Sequence, residues 1–248
     1  MTRLRSGALA AWMSAWFAGD AGPDQVIDAV TGSDAAHRVS GIALDLVPLI
    51  DALAMWQREG APVRLLLPVS GDVRGVPGPA DFRIAALEAG EGVCSGPLGL
   101  VPEVTDHYPS SAPHSVVWHA FVTDPAPPDH TQLGDVQHEL TTAIRDAASA
   151  LLAADVAGAA ADIADALHDA RRAGEHLNLP PQFPSRAVAL LAQAERMQSV
   201  LELAAGDVEG GAIDRFGMSA RAGALRPLEV AVRRARLAGY NARAEVRS

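Results

Sequence analysis

"VRLLLPVSGDVRGVPGPADF", residues 63–82, decides how the first half of the chain is read. Its opening run, 63–69, is continuously apolar and of strand length, the pattern of a buried central strand. Turn formers crowd the next ten residues, with glycines at 71, 75 and 78 and prolines at 77 and 79. A helix is predicted over 80–89. A strand, a loop and a helix in that order put the loop at the carboxyl end of a strand, where ligands of layered α/β sheets bind. Asp72 and Arg74 in this loop, and Arg83 one turn into the helix, are therefore candidate ligand-binding residues. A guanidinium fork suits a carboxylate or phosphate. The competing reading is a rigid turn in which Asp72 and Arg74 satisfy each other or the local backbone. The glycine spacing is not Gly-x-Gly-x-x-Gly, and Pro77 and Pro79 lack the amide donors of a phosphate cradle.

Around this stretch, helices are predicted at 7–18, 23–31 and 45–59, with strands at 38–44, 98–104 and 115–122. Helices between strands make a layered α/β region. Leu9, Trp12, Met13, Trp16 and Phe17 recur at helical spacing, so the first segment reads as a helix of a folded domain, not a secretory leader. "TDPAPPDHT", 123–131, is a short stiff linker by its three prolines. Beyond it the pattern is helical. Val136, Leu140, Ile144, Ala147 and Leu151 form one apolar stripe. Leu190, Ala194, Met197, Leu201 and Ala204 form a second, and Leu225, Leu228, Val232, Ala235 and Gly239 a third. Ile163, Ala166, Leu167 and Ala170 form a shorter fourth. Pro227 marks a start or a kink of the last helix. The expected fold is α+β: a mixed α/β region over 1–124, a Pro-rich linker over 125–131, and an antiparallel four-helix bundle over 132–248.

Charge and composition exclude several functions. All twenty basic residues are arginine, so no Walker lysine, Schiff-base lysine or lysine general base exists. The net charge of −10 disfavours nucleic acid as a partner. Residues 212–248 reverse that sign: eight arginines against three acidic residues give +5, leaving −15 for the rest. Arg226, Arg233 and Arg234 lie off the apolar stripe of the last helix and are candidate interaction residues. No apolar run approaches a membrane span. One cysteine, Cys94, excludes an internal disulfide and suits the cytoplasm.

Candidate chemistry is sparse. Asp135 with His138, and Asp165 with His168, imitate the carboxylate-x-x-histidine pairs of di-metal bundles. At about 100° per residue, however, they lie roughly 150° from the apolar stripes and face water. Cys94, Glu103, Asp106, His107, His114 and His119 are zinc-ligand types, but no two have a metal-site spacing. No metal or cofactor is expected. There is no Gly-x-Ser-x-Gly elbow. In "SVVWHAFV", 115–122, the period of two places His119 between Val117 and Phe121 on one face. It is the one candidate for an acid–base role. The leading expectation is a non-catalytic assembly or partner-binding protein, a homo-oligomer with a possible protein partner. The alternative is an enzyme or binder for an anionic ligand at loop 70–83.

Overall fold

A computed structural model describes residues 4–105, 112–127, 131–153, 177–206 and 215–242. These fall into two units. The first is built from the chain before residue 128 together with the later segment Asn178–Phe183; the second holds the helices after residue 131.

The first unit is a six-stranded mixed sheet with four helices. In chain order these are α1 (Arg5–Ala18), α2 (Pro23–Thr31), β1 (Ala36–Ser40), β2 (Val47–Pro48), α3 (Leu49–Glu59), β3 (Arg64–Leu66), α4 (Ala80–Ala89), β4 (Gly92–Ser95), β5 (Leu98–Thr105) and β6 (Ser115–Val122). Strand order is β2-β1-β6-β5-β4-β3. Among the described strands, β1 and β6 run parallel and the other pairs are antiparallel.

One face carries Val39, Trp118, Leu100, Val93 and Leu65, all buried. It is packed by α1, whose Leu9 and Met13 are fully buried, and by α3 through Leu53 and Trp56. The Trp56 indole N–H donates to the Leu98 carbonyl at 3.2 Å. On the opposite face, α4 packs Phe82 and Ala86 against Leu66, Cys94 and Val101. Gly99 lets the helix approach: a Cβ there would lie 2.6 Å from Phe82 and 2.8 Å from Thr123. Asn178 ties its segment to this unit, accepting from the Trp12 indole at 3.0 Å and donating to the Ala29 carbonyl at 2.9 Å.

Several expectations need correction. The run 63–69 is not a central strand: β3 covers only 64–66 and lies at the sheet edge. Continuous apolarity reports burial on both faces, and helices α1 and α4 supply that even at an edge. Strand β1 stops at Ser40, because Gly41 turns left-handed at φ 86°. Helix α3 begins at Leu49, after the two residues of β2. Strand β4 was not expected at all. The reading of 115–122 as a strand and of 23–31 and 80–89 as helices agrees with the structure.

The second unit has three described helices: α5 (Leu133–Ala153), α6 (Ser185–Gly206) and α7 (Arg215–Tyr240). Their core joins Val136, Leu140 and Ala147 to Leu190, Ala194 and Leu201 and to Leu228, Val232 and Ala235. These are the stripes read from the sequence. Helices α6 and α7 run antiparallel: Gly239 meets Leu191, and Arg236 meets Glu195. Helix α7 passes through Pro227 and does not start there. The fourth stripe, Ile163–Ala170, lies outside the described residues, as do Asp165 and His168.

Candidate functional site

Strand register assembles a polar group on the face that α4 half covers. Ser40 on β1 and Val101 on β5 both align with His119 on β6. Alternation puts Arg38, Ser40, Val117, His119, Phe121, Val101 and Glu103 on this one face. Phe121 is under α4, its ring centroid 5.6 Å from that of Phe82. Beyond Phe121 the face is open: His119 is 41% exposed, Glu103 64%, and Arg38 is exposed.

His119 is bonded at both ring nitrogens. Its Nε2 lies 2.6 Å from Glu103 Oε2, and its Nδ1 lies 2.9 Å from Ser40 Oγ. An ionised carboxylate only accepts, so in the neutral imidazole Nε2–H donates to Glu103 and Nδ1 keeps its lone pair. Ser40 then donates to Nδ1. Hydroxyl, imidazole and carboxylate thus stand in line across three adjacent strands. Immediately after Ser40 the chain must turn on glycine, since a Cβ at Gly41 would lie 2.9 Å from the Ala120 carbonyl oxygen. The loop it starts, 41–46, exposes Leu44 completely and Leu46 by half. Val122, at the same end of parallel β6, is 78% exposed.

The other candidates lie elsewhere. Asp72 and Arg74 pair with each other: Arg74 Nε and Nη2 donate to the two Asp72 oxygens at 2.8 and 3.0 Å, and the arginine side chain is 76% exposed. Mutual backbone bonds between Val69 and Asp72 close the turn. Arg83 Nε donates to the carbonyls of Val76 and Pro77 at 3.3 Å. The Asp124 N–H, just past β6, bonds the Gly78 carbonyl at 3.0 Å. Among the C-terminal arginines, Arg226 is exposed and Arg233 half-buried. Arg234 donates to Glu139 on α5 at 2.6 Å. A buried pair joins Arg236 to Glu195 at 2.9 Å, with Tyr240 Oη 3.5 Å from the same oxygen.

Of the zinc-type residues, Asp106 and His107 lie outside the described residues. Among the described residues no group of three or more acidic, histidine or cysteine side chains could hold a metal. Asp135 and His138 are exposed. Cys94 is buried, and burial pushes its thiol up to about 11, Arg64 opposing only in part. It is protonated and unreactive at neutral pH.

A second polar group, on the other face, was missed. Arg5, at the start of α1, forks onto both oxygens of Asp34 at 2.8 Å. His37 Nε2 lies 3.0 Å from Asp34 Oδ2, and the Trp118 indole donates to His37 Nδ1 at 3.1 Å. That donation fixes His37 as the Nε2–H tautomer, which in turn donates to Asp34. Burial raises the Asp34 carboxyl, but the hydrogen bonds and charges of Arg5 and His37 outweigh it and hold the group below the ordinary carboxylate range. With side chains 2–7% exposed, this network anchors α1 to β1. The Asp34-x-x-His37 spacing was the one local signal for it; Arg5 and Trp118 are too distant in sequence to read.

The fold defines a two-unit α+β protein: a mixed sheet with helices on both faces, followed by a helical unit. The chain belongs to the Rv1486c-like family. Residues 6–133 match the model described as the Rv1486c-like protein, N-terminal domain, and residues 134–237 the corresponding C-terminal domain. It is similar to Uncharacterized protein MT1533 of Mycobacterium tuberculosis (strain CDC 1551 / Oshkosh), 30% identical over 280 residues and 96% of each chain. It is also 28% identical to Uncharacterized protein ML1804 of Mycobacterium leprae (strain TN), again over 96% of each chain. No solved structure matches. Among the described residues no helix is long and apolar enough to cross a membrane.

Proposed function

We propose that this chain is a cytoplasmic assembly protein that pairs with a second copy of itself through the end of the sheet where loop 41–46 leaves β1. The observation that carries this reading is the exposure of Leu44, Leu46 and Val122 at that one end. Burying a leucine side chain is worth about 1.5–3 kcal/mol, so three exposed aliphatic groups together are a substantial unused driving force. A two-fold contact uses each of them twice, which lets a small patch build an interface. Pro48 on the adjoining edge strand removes a backbone donor, so side-chain docking is favoured over strand addition.

In this reading 1–124 and 132–248 are separate domains joined by the Pro-rich stretch 125–131, and the stripe at 163–170 completes the bundle. Two partnerships favour assembly over an anionic ligand at loop 70–83. Arg74 is matched by Asp72, and Arg83 by loop carbonyls. Among the described C-terminal arginines, Arg226 is the one exposed for a further protein partner.

The test is native mass spectrometry of the full chain and of the Leu44→Ser, Leu46→Ser double variant. A dimer in the wild type that disappears in the variant is expected. A dimer that survives both substitutions refutes this surface.

A further inference from the structure

We propose that Ser40 is a reactive nucleophile, activated by His119 and Glu103, that takes the acyl group of a small, uncharged carboxylic ester. This stands apart from the assembly reading, which rests on other side chains.

The geometry carries it. A half-exposed histidine on an open sheet face has water available to both nitrogens. Here the two nitrogens are instead bonded to a hydroxyl and a carboxylate from the two flanking strands, at 2.9 and 2.6 Å. The charge order is that of an activated nucleophile: the carboxylate fixes the tautomer, and the lone pair at Nδ1 faces Ser40 Oγ. The group is accessible. Arg38 lies two residues before Ser40 on β1, so both side chains are on this face, and it is exposed. It supplies a cation for a developing oxyanion. Val117 and Phe121 flank His119 on the same face. These surroundings suit an apolar acyl or alkyl group.

Ser40 Oγ forms a bond to the ester carbonyl carbon while its proton passes to His119 Nδ1. Collapse of the tetrahedral intermediate breaks the bond to the alcohol oxygen, which takes that proton and leaves. Water then attacks the acyl-serine, again losing its proton to Nδ1. Release of the carboxylic acid returns that proton to Ser40. Glu103 is a positioning residue that holds the imidazole and stabilises its charged form.

The test uses an alkyl fluorophosphonate on the full chain. Ser40 Oγ displaces fluoride, and the proton passes to His119. Peptide mapping should place the phosphonyl mass on Ser40, with none in Ser40→Ala. His119→Ala should label on the order of 100-fold more slowly, as expected for loss of a general base, and added imidazole should restore part of the rate. Glu103→Gln should slow labelling while leaving the melting temperature unchanged. The same unchanged melting temperature is the control for the other two variants. If His119→Ala melts early, the wild-type mapping and its Ser40→Ala control still decide. Wild type that gains no mass, or gains it on a serine other than Ser40, overturns the proposal. Labelling of Ser40 at an equal rate in wild type and His119→Ala overturns it too.

Discussion

Replacing Asp34 with asparagine removes one charge and one acceptor from the buried network. Asp34 accepts from Arg5 through both guanidinium nitrogens and from His37. Asparagine offers one oxygen and one amide donor. If the amide faces Arg5, two donors oppose each other. If it faces His37, the ring must accept at Nε2 and carry its proton on Nδ1, against the Trp118 N–H. Arg5 also keeps its charge with its side chain 7% exposed. Breaking one partner of such a pair costs about 3–5 kcal/mol. At roughly 4 °C per kcal/mol for a unit of this size, the melting temperature should fall by about 12–20 °C.

Differential scanning calorimetry of wild type and Asp34→Asn measures this directly, and the pH dependence gives a second reading. The Asp34 carboxyl is held below its ordinary value in the folded state. Its contribution is therefore complete above the unfolded value of about 4 and is lost as pH falls through the folded one. Asp34→Asn should thus narrow its gap to wild type only in strong acid. A gap of under about 3 °C at neutral pH, well below what one broken buried pair costs, refutes the claim that this network anchors α1. Asp72→Asn, on the exposed pair with Arg74, is the control and should melt with wild type.

Three further outcomes follow from packing and burial. Gly99→Ala drives a methyl group into Phe82 and should cost about 1–3 kcal/mol in urea unfolding, with the far-ultraviolet spectrum unchanged. Arg236→Ala removes the guanidinium partner of the buried Glu195 and should destabilise the helical unit by about 3 kcal/mol, read from its thermal transition. Cys94 should alkylate with iodoacetamide at pH 8 at least about 100-fold more slowly in the native chain than in urea, because its thiol is protonated and enclosed.

Elements set by local chemistry were legible in the sequence. Helix α2 has Pro23 at its first turn and α4 follows Pro79; strand β6 buries Val116 and Trp118 at a period of two; and the three described helices of the second unit bury Val136, Leu140, Leu190, Ala194, Leu228 and Val232 from the stripes that periodicity marked. What escaped was set by distant partners. A continuous apolar run tells of burial and not of position, so β3 read as central although it is an edge. Strand β4, "GVCS", has no pattern of its own and exists because β3 and β5 pair on either side of it. His119 could be singled out by its apolar neighbours. Ser40, 79 residues away, could not be matched to it, because only the parallel pairing of β1 with β6 brings them together. Glu103 reads from sequence only as a metal-ligand type; its contact with His119 comes from the register of β5.

Sedimentation velocity of the full chain over a wide dilution series tests the assembly claim most directly. A concentration-dependent shift from one chain to two is expected, abolished by Leu44→Ser with Leu46→Ser. A wild type that sediments as a single chain at every concentration contradicts it.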